Sequence, residues 1–500
     1  MNQTTKQRPM LRLSSRRVVL YFGVAALVAV LVQLLLGASP WIVMLTMIII
    51  TLGLLSFAVI GAYNLGAWLA LFYVLGNVLV ALYAKTLFGQ TLDSHLYAPL
   101  DSFLVLTITT SALFVALIVA RYVKLGRPLL RPTHKPKTLA WLSWGSLLLG
   151  VLFWFLNQYF QGPGGTGFGG VAVFNGLILM AVIARTALLL ENGQAKRTMD
   201  GRLALIMAVS VFLGLLSNSK TYAAYPVVSY FATLLFFRRG LPWRYIVLLA
   251  VGGLLFVTVL VPLIQAWRYL GEQQMTIAQR VGLIAKGSGE VLEGRNLEHF
   301  KQLAAIQFRG GYYNYFGGNG RSQSLLGRYT SVQQNDPVIA QVNRQGTIGG
   351  SVIWPALTRL LPRFLYPNKP KYIEGYHILV DLGLINPEGG KFPSVPLAGQ
   401  AYAGYGWIGV LTIPFFTFLG FLLVLKKLGW NLYRNVFAIF FFCDFIIVYA
   451  GQGDLGQYIG AVLRGFPLFV IVFWLLIAAS RIRWRAVAVL RRPSFTEGWR

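Results

Sequence analysis

Along most of this chain, apolar runs of about 20 residues alternate with short polar turns that carry Lys and Arg. That repetition leaves few folds open. A helix needs about 20 residues, at about 1.5 Å of rise each, to cross about 30 Å of hydrocarbon. Over such a length only a helix satisfies its own backbone hydrogen bonds, whereas a transmembrane strand would use about half as many residues. Composition agrees: 56% of residues are hydrophobic and 12% charged, at a mean hydropathy of +0.63, against about 25% charged in soluble domains. The expectation is an all-α polytopic membrane protein.

The net charge of +29 would suggest nucleic acid in a soluble protein. Here the cations sit mostly in short loops between apolar runs, where orientation bias places them, so no nucleic-acid partner is expected. The single cysteine, Cys443, lies inside an apolar run, which excludes an intrachain disulfide and a thiolate metal cage. His95, His134, His299 and His377 are scattered, which argues against a histidine metal site. The basic N-terminus leads into one span and at once into another, the pattern of an anchor rather than a cleaved signal.

Twelve spans are read, at about 18–36, 41–60, 67–84, 100–120, 139–156, 171–190, 203–216, 223–237, 245–265, 396–425, 432–450 and 457–479. The basic clusters at Arg16 and Arg17, Arg121 to Lys137, Lys196 to Arg202, Arg238 to Arg244, Lys426 to Arg434 and Arg481 to Arg485 then all fall on one side. By the positive-inside rule both termini are cytoplasmic. The chain divides into residues 1–265 with nine spans, an external loop at 266–396 containing short interfacial helices, and residues 397–500 with three spans and a basic tail. No internal repeat is found, which weighs against a carrier built from two matching halves. The glycine run Gln161 to Gly170 is read as a flexible turn before a ligand loop.

The external loop carries fourteen Lys and Arg against eight of the chain's fifteen acids. Within it, SVIWPALTRLLPRFLY (Ser351 to Tyr366) is apolar but interrupted by Pro355 and Pro362, too short to span and suited to an interfacial helix. Arg359 and Arg363, four apart, share a face in helical geometry. They can clamp an anion in bidentate fashion, or snorkel to lipid headgroups. Lys220, in SNSKTY, and Arg268 lie at span ends on the same side. Arg464 lies about seven residues inside the last span, where an ionised group costs at least about 2.5–3.5 kcal/mol unless it is paired or wetted. Asp444 and Asp454 are its candidate partners. Glu374, His377 and Asp381 are spaced i, i+3, i+7, one face if helical, and are candidates for a general base or for a solvated helix face. Tyr312, Tyr313, Tyr315 and Phe316, set among glycines, suit sugar stacking or headgroup anchoring alike.

LPRFLYPNKP (Leu361 to Pro370), followed by PSVPLAGQAYAGYGWIGVL (Pro393 to Leu411), resembles the end of the large external loop in Wzy-type O-antigen polymerases. SNSKTY is similar to the Ser–Arg step at the outer end of an earlier span in these polymerases and the related O-antigen ligases, with Lys220 where Arg is usual. Gln400 stands where an acid often precedes the aromatic of the next span, and no His–Asn pair of the ligase type occurs near Pro393 to Tyr402. The resemblance implies a GT-C-like integral-membrane glycosyltransferase in the bacterial inner membrane, joining undecaprenyl-diphosphate-linked oligosaccharides on the external face without metal or nucleotide sugar. Lys220, Arg268, Arg359, Arg363 and Arg464 would hold the diphosphate, Glu374, His377 and Asp381 would supply acid–base chemistry, and Tyr222, Arg309, Tyr313, Lys369 and Tyr402 would contact the glycan. Membrane lipids are further partners, with a chain-length regulator protein left open. Alternatives are a ligase that shares the site but not the acceptor, a lipid-linked glycan transporter, and an envelope-assembly scaffold. A transporter would carry ionisable groups along several spans, and before Asp444 and Arg464 these spans hold almost none.

Overall fold

A computed structural model of the protein describes residues 10–12, 14–159, 172–192, 198–217, 219–238, 240–256, 260, 264, 279, 282, 315–316, 330–358, 360–361, 366, 375–385 and 395–490. After the short strand β1 (Met10–Arg12) come α1 (Ser15–Leu35), α2 (Pro40–Ile60), α3 (Leu65–Leu87), α4 (Pro99–Tyr122), α5 (Pro136–Tyr159), α6 (Phe174–Glu191), α7 (Gly201–Leu216) and α8 (Lys220–Arg238). The strand β2 (Gly240–Pro242) leads into α9 (Trp243–Leu255), and three short helices follow: α10 (Ser331–Gln345), α11 (Ile353–Thr358) and α12 (Tyr376–Asp381). The chain closes with α13 (Leu397–Leu428), α14 (Val436–Gln452) and α15 (Leu455–Arg481). Eight of these helices are long and apolar enough to cross a membrane: α1 to α6, α13 and α15. Three shorter apolar helices lie at Gly201–Leu216, Tyr245–Leu255 and Val436–Gln452. The protein is an α-helical, membrane-embedded chain.

Local chemistry sets the helix starts. Proline occupies the first position of α2 and α4, where its missing N–H is no loss. Asn64, Asp200, Asn435 and Asp454 accept hydrogen bonds from the first turns of α3, α7, α14 and α15. At Tyr405 and Gly406 α13 breaks, with Gly406 at φ +59°. The break brings Gly409 so near the Ala401 carbonyl that a Cβ there would lie 2.1 Å from its oxygen. Leu397 to Gly404 thus form a separate buried segment that doubles back into the helix that follows.

The bundle has two chemically distinct ends. At one, β1 pairs with β2, Arg121 donates to the Val59 carbonyl (2.7 Å), the Leu129 N–H donates to the Lys427 carbonyl (2.8 Å), and Glu191 pairs with Arg434 (2.8 Å) and His134 (3.0 Å). This basic end gathers the loops after α2, α4, α6, α8 and α13. At the far end, Gln33 donates to the Gln90 carbonyl (2.9 Å) and accepts from the Leu92 N–H (2.8 Å). Between the ends, phenylalanines knit α14 to α15, with ring centroids 4.7 Å apart for Phe445 and Phe466 and for Phe440 and Phe469. Leu20, Val24, Val28 and Leu31 line an exposed apolar face of α1, as expected where lipid is the solvent.

In the sequence, 266–396 reads as a polar, basic loop with short interfacial helices, and within it residues 330–339 are all buried. The cause is helix-end chemistry. Asp336 accepts from the Tyr97 N–H (2.7 Å), the Ala98 N–H (2.9 Å) and the Ser102 hydroxyl (2.9 Å), covering the first turn of α4. Asn335 accepts from the Gly399 N–H (3.0 Å) at the start of α13. Ser331 hydrogen-bonds Asn77 of α3. Polar side chains go inside because free N–H groups wait there.

Candidate functional site

Past α9, Phe256 and Leu260 are π-helical, and three further π-turns fall inside helices: Leu75–Leu79 in α3, Phe442–Ile446 in α14 and Ala461–Gly465 in α15. Each of these three holds a polar residue of an otherwise apolar stretch, namely Asn77, Asp444 and Arg464. An inserted residue of this kind redirects a side chain and loosens the backbone ladder, and such turns recur at functional sites. The three are neighbours. Gly76 packs on Gly451 of α14, where a Cβ would come within 2.8 Å of the Gly451 Cα, and Gly465 lies against the Phe445 ring.

The wall beside Asp444 comes from α6 and α8. A Cβ on Gly176 would lie 2.8 and 3.0 Å from the two Asp444 carboxylate oxygens, so only glycine lets α6 approach this closely. Across from it α8 contributes Tyr222 and Tyr225, whose rings meet edge to face at 5.9 Å. Ser219 starts α8, accepting through its hydroxyl from the Tyr222 N–H (3.3 Å). Trp154, Asn175, Ser210, Ser217 and Tyr222 line a small cavity between α5, α6, α7 and α8, with about 20 Å³ accessible to a water centre, room for about one water molecule. The Trp154 indole donates to the Ser217 hydroxyl (2.7 Å) at its edge.

Of the residues expected from sequence, Arg268, Arg309, Tyr313, Arg359, Arg363, Lys369, Glu374 and the Lys220 side chain lie outside what is described. Their flanking elements are informative. Lys220 opens α8, and Arg359 directly follows α11, which packs along the first turns of α15 ahead of Arg464. Arg464 is nine residues past Leu455, about 14 Å along the helix, and half-buried. The pairing with Asp444 weighed from sequence is not formed. Among the described residues the ion pairs are Glu191 with His134 and Arg434, and Arg185 with Asp200. Asp454 is engaged as the cap of α15, in a reciprocal box with Gln457.

His377 and Asp381 share one face of α12. Gly375, at φ +71°, caps the start of that helix, and Glu374 lies outside the described residues. Burial pushes the His377 imidazole below its ordinary value, against Asp381 and a backbone hydrogen bond at Ser351, which push it up. Tyr402 is buried, with its hydroxyl donated to Asn343 (2.7 Å) and its ring against Trp407. Tyr315 is 1% exposed and donates to the Leu92 carbonyl (2.8 Å), while Lys85 sits 4.2 Å over its ring. It therefore anchors the loop and does not present a face for stacking sugar. Sequence reading treated Asp444 only as a partner for Arg464. Gly176 and the π-turns had no signal in it, because both are defined by contacts and hydrogen bonds across helices.

Comparison with protein-family models, with characterised proteins and with solved structures finds no match to this chain.

Proposed function

We propose that the protein joins lipid-linked oligosaccharide repeat units into a cell-surface polysaccharide, as a GT-C-like glycosyltransferase of the bacterial inner membrane. In this reading the chain crosses twelve times, both termini are cytoplasmic with the basic end, and the far end faces outward. The observation that carries it is a continuous chain of packing at that far end. The helix opened by Lys220 packs on the π-turn of Asp444, that turn packs on the π-turn of Arg464, and α15 just above Arg464 packs on the helix that Arg359 follows. Elements bearing cations from two spans and the external loop thus meet.

Such an arrangement suits a substrate with a fixed double negative charge at the membrane surface. When an acceptor hydroxyl attacks the anomeric carbon, the bond to the diphosphate oxygen breaks and charge builds on the leaving group. Lys220, Arg268, Arg359, Arg363 and Arg464 stabilise that charge in a site shielded from bulk water. The exposed apolar helix faces keep the polyprenyl chain in lipid while its headgroup reaches the site.

The test is purified protein in nanodiscs given an undecaprenyl-diphosphate-linked oligosaccharide. A polymer ladder is expected, and alanine at Lys220, Arg359 or Arg363 should reduce it by about 10²-fold or more. A full ladder from the triple variant would defeat the assignment. Transfer to a different acceptor would identify a ligase, and translocation without bond formation a transporter.

A further inference from the structure

Asp444 is the one acid in α14, eight residues from either end of Val436–Gln452, or about 12 Å at about 1.5 Å per residue. A carboxyl at such depth is expensive to keep and marks function when it is kept. The surroundings are shaped around it, yet none of them satisfies it. Gly176 admits both oxygens where any side chain would collide. Among the described residues no side chain hydrogen-bonds Asp444 and no cation pairs with it. Asn175, next to Gly176, is 8% exposed and its Oδ1 has no hydrogen-bond partner. A carboxyl retained only to tie helices together would be hydrogen-bonded.

Asp444 is also reachable. It is half-buried, and so are Ile447, Val448, Tyr449, Gly451 and Gln452, which continue along α14 to the far end. Asp444, Ile447, Val448, Gly451 and Gln452 recur at helical spacing on one face, so that face of α14 is only partly covered from the carboxyl to the far end, and the half-buried Arg464 stands in the adjoining π-turn. By contrast Asp381 is exposed on a helix of six residues.

Resting on the polymerase reading above, we propose that Asp444 is the general base of the transfer: its carboxylate takes the proton of the acceptor hydroxyl. The acceptor oxygen forms its bond to the anomeric carbon, the bond from that carbon to the diphosphate oxygen breaks, and the electron pair leaves on the diphosphate. The proton then passes from Asp444 to water that reaches the partly covered face of α14. Two adjoining π-turns divide the work, α14 supplying the base and α15 a cation for the leaving group. Among the described residues, Tyr222 and Tyr225 from α8 and Cys443 beside Asp444 on α14 are the titratable groups that sense its charge, and Arg464 is the charged residue of the adjoining π-turn. None of these is a carboxylic acid, so an acidic limb that disappears in Asp444→Asn belongs to Asp444.

The experiment compares wild type with Asp444→Asn and Asp444→Glu, full-length in nanodiscs, on the undecaprenyl-diphosphate-linked oligosaccharide. Asp444→Asn should lower kcat by about 10²-fold or more with KM within about threefold, and its residual rate should lose the fall on acidification seen in wild type. Asp444→Glu should recover part of the rate and the acidic limb. The thermal midpoint of Asp444→Asn should stay at or above that of wild type, since the amide removes a buried charge. A wild-type ladder with Asp444→Asn within about threefold of its rate, or with its acidic limb intact, rejects the base and leaves the polymerase reading standing. A wild type that makes no ladder rejects both.

Discussion

At the scale of single residues, Gln400 shows how a buried amide ties two helix starts together. Its amide nitrogen donates to the Val395 carbonyl (2.9 Å) while its oxygen accepts from the Leu455 N–H (3.0 Å). A carboxylate can accept but not donate, so an acid here would set a negative charge against a carbonyl. Gln400 thereby links the start of α13 to the start of α15. His377 carries a prediction of pH dependence. Its folded value lies below the ordinary one, chiefly through burial, so the folded state favours the neutral ring while the unfolded chain binds a proton near about 6.5. The stability that follows is present above about 6.5 and is lost as pH falls through the depressed folded value. Thermal midpoints in nanodiscs should decline on acidification over that window, and less so for His377→Gln. Equal slopes for the two proteins would count against this account.

Among the elements, α4 illustrates how the segment between α9 and α13 and the bundle hold each other. Asp336 covers its first turn, and at the opposite end the Lys426 ammonium donates to the carbonyls of Ala120 (2.8 Å), Arg121 (2.8 Å) and Val123 (2.7 Å). A carboxylate at the N-terminus and a cation at the C-terminus match the helix dipole at both ends, although neither group belongs to the helix. Asp336→Ala and Lys426→Ala should each cost about 1–3 kcal/mol. The sites are separated by the length of a 24-residue helix, so the double variant should lose about the sum. Chemical or thermal unfolding of the purified variants measures this, and marked non-additivity would show that the two caps communicate. The π-turns and the break at Gly406 are the other element-scale devices. They let α13, α14 and α15 present polar groups inward from sequences that read as plain apolar spans.

For the molecule as a whole, sidedness is the property with most at stake. Cys443 is buried, so the natural chain offers a low labelling background. In intact cells a membrane-impermeant maleimide should label Arg344→Cys, on α10 at the far end, and should reach Lys124→Cys, at the basic end, only after lysis. The reverse pattern would put the loop in the cytoplasm and end the glycosyltransferase reading. The helical, membrane-embedded class was legible in the sequence, because bilayer thickness fixes span length and span length fixes hydropathy. The basic end was legible for the same reason, since charge cannot cross lipid freely. The burial of Gln333, Gln334, Asn335 and Asp336 was not. Nothing in SVQQNDPV distinguishes a solvated turn from one that meets waiting helix N-termini.

By itself the sequence determined that the chain lives in a membrane, which stretches are apolar enough to enter it and which loops share the positive end. These follow from each segment's own transfer free energy, which needs no neighbour. Only the tertiary structure decided which polar groups are spent on helix ends, which glycines are contacts, and that Asp444 and Arg464 occupy adjoining π-turns. Those depend on pairings between residues that can be hundreds apart, and a hydrogen bond or a close approach has no energy until both partners are in place.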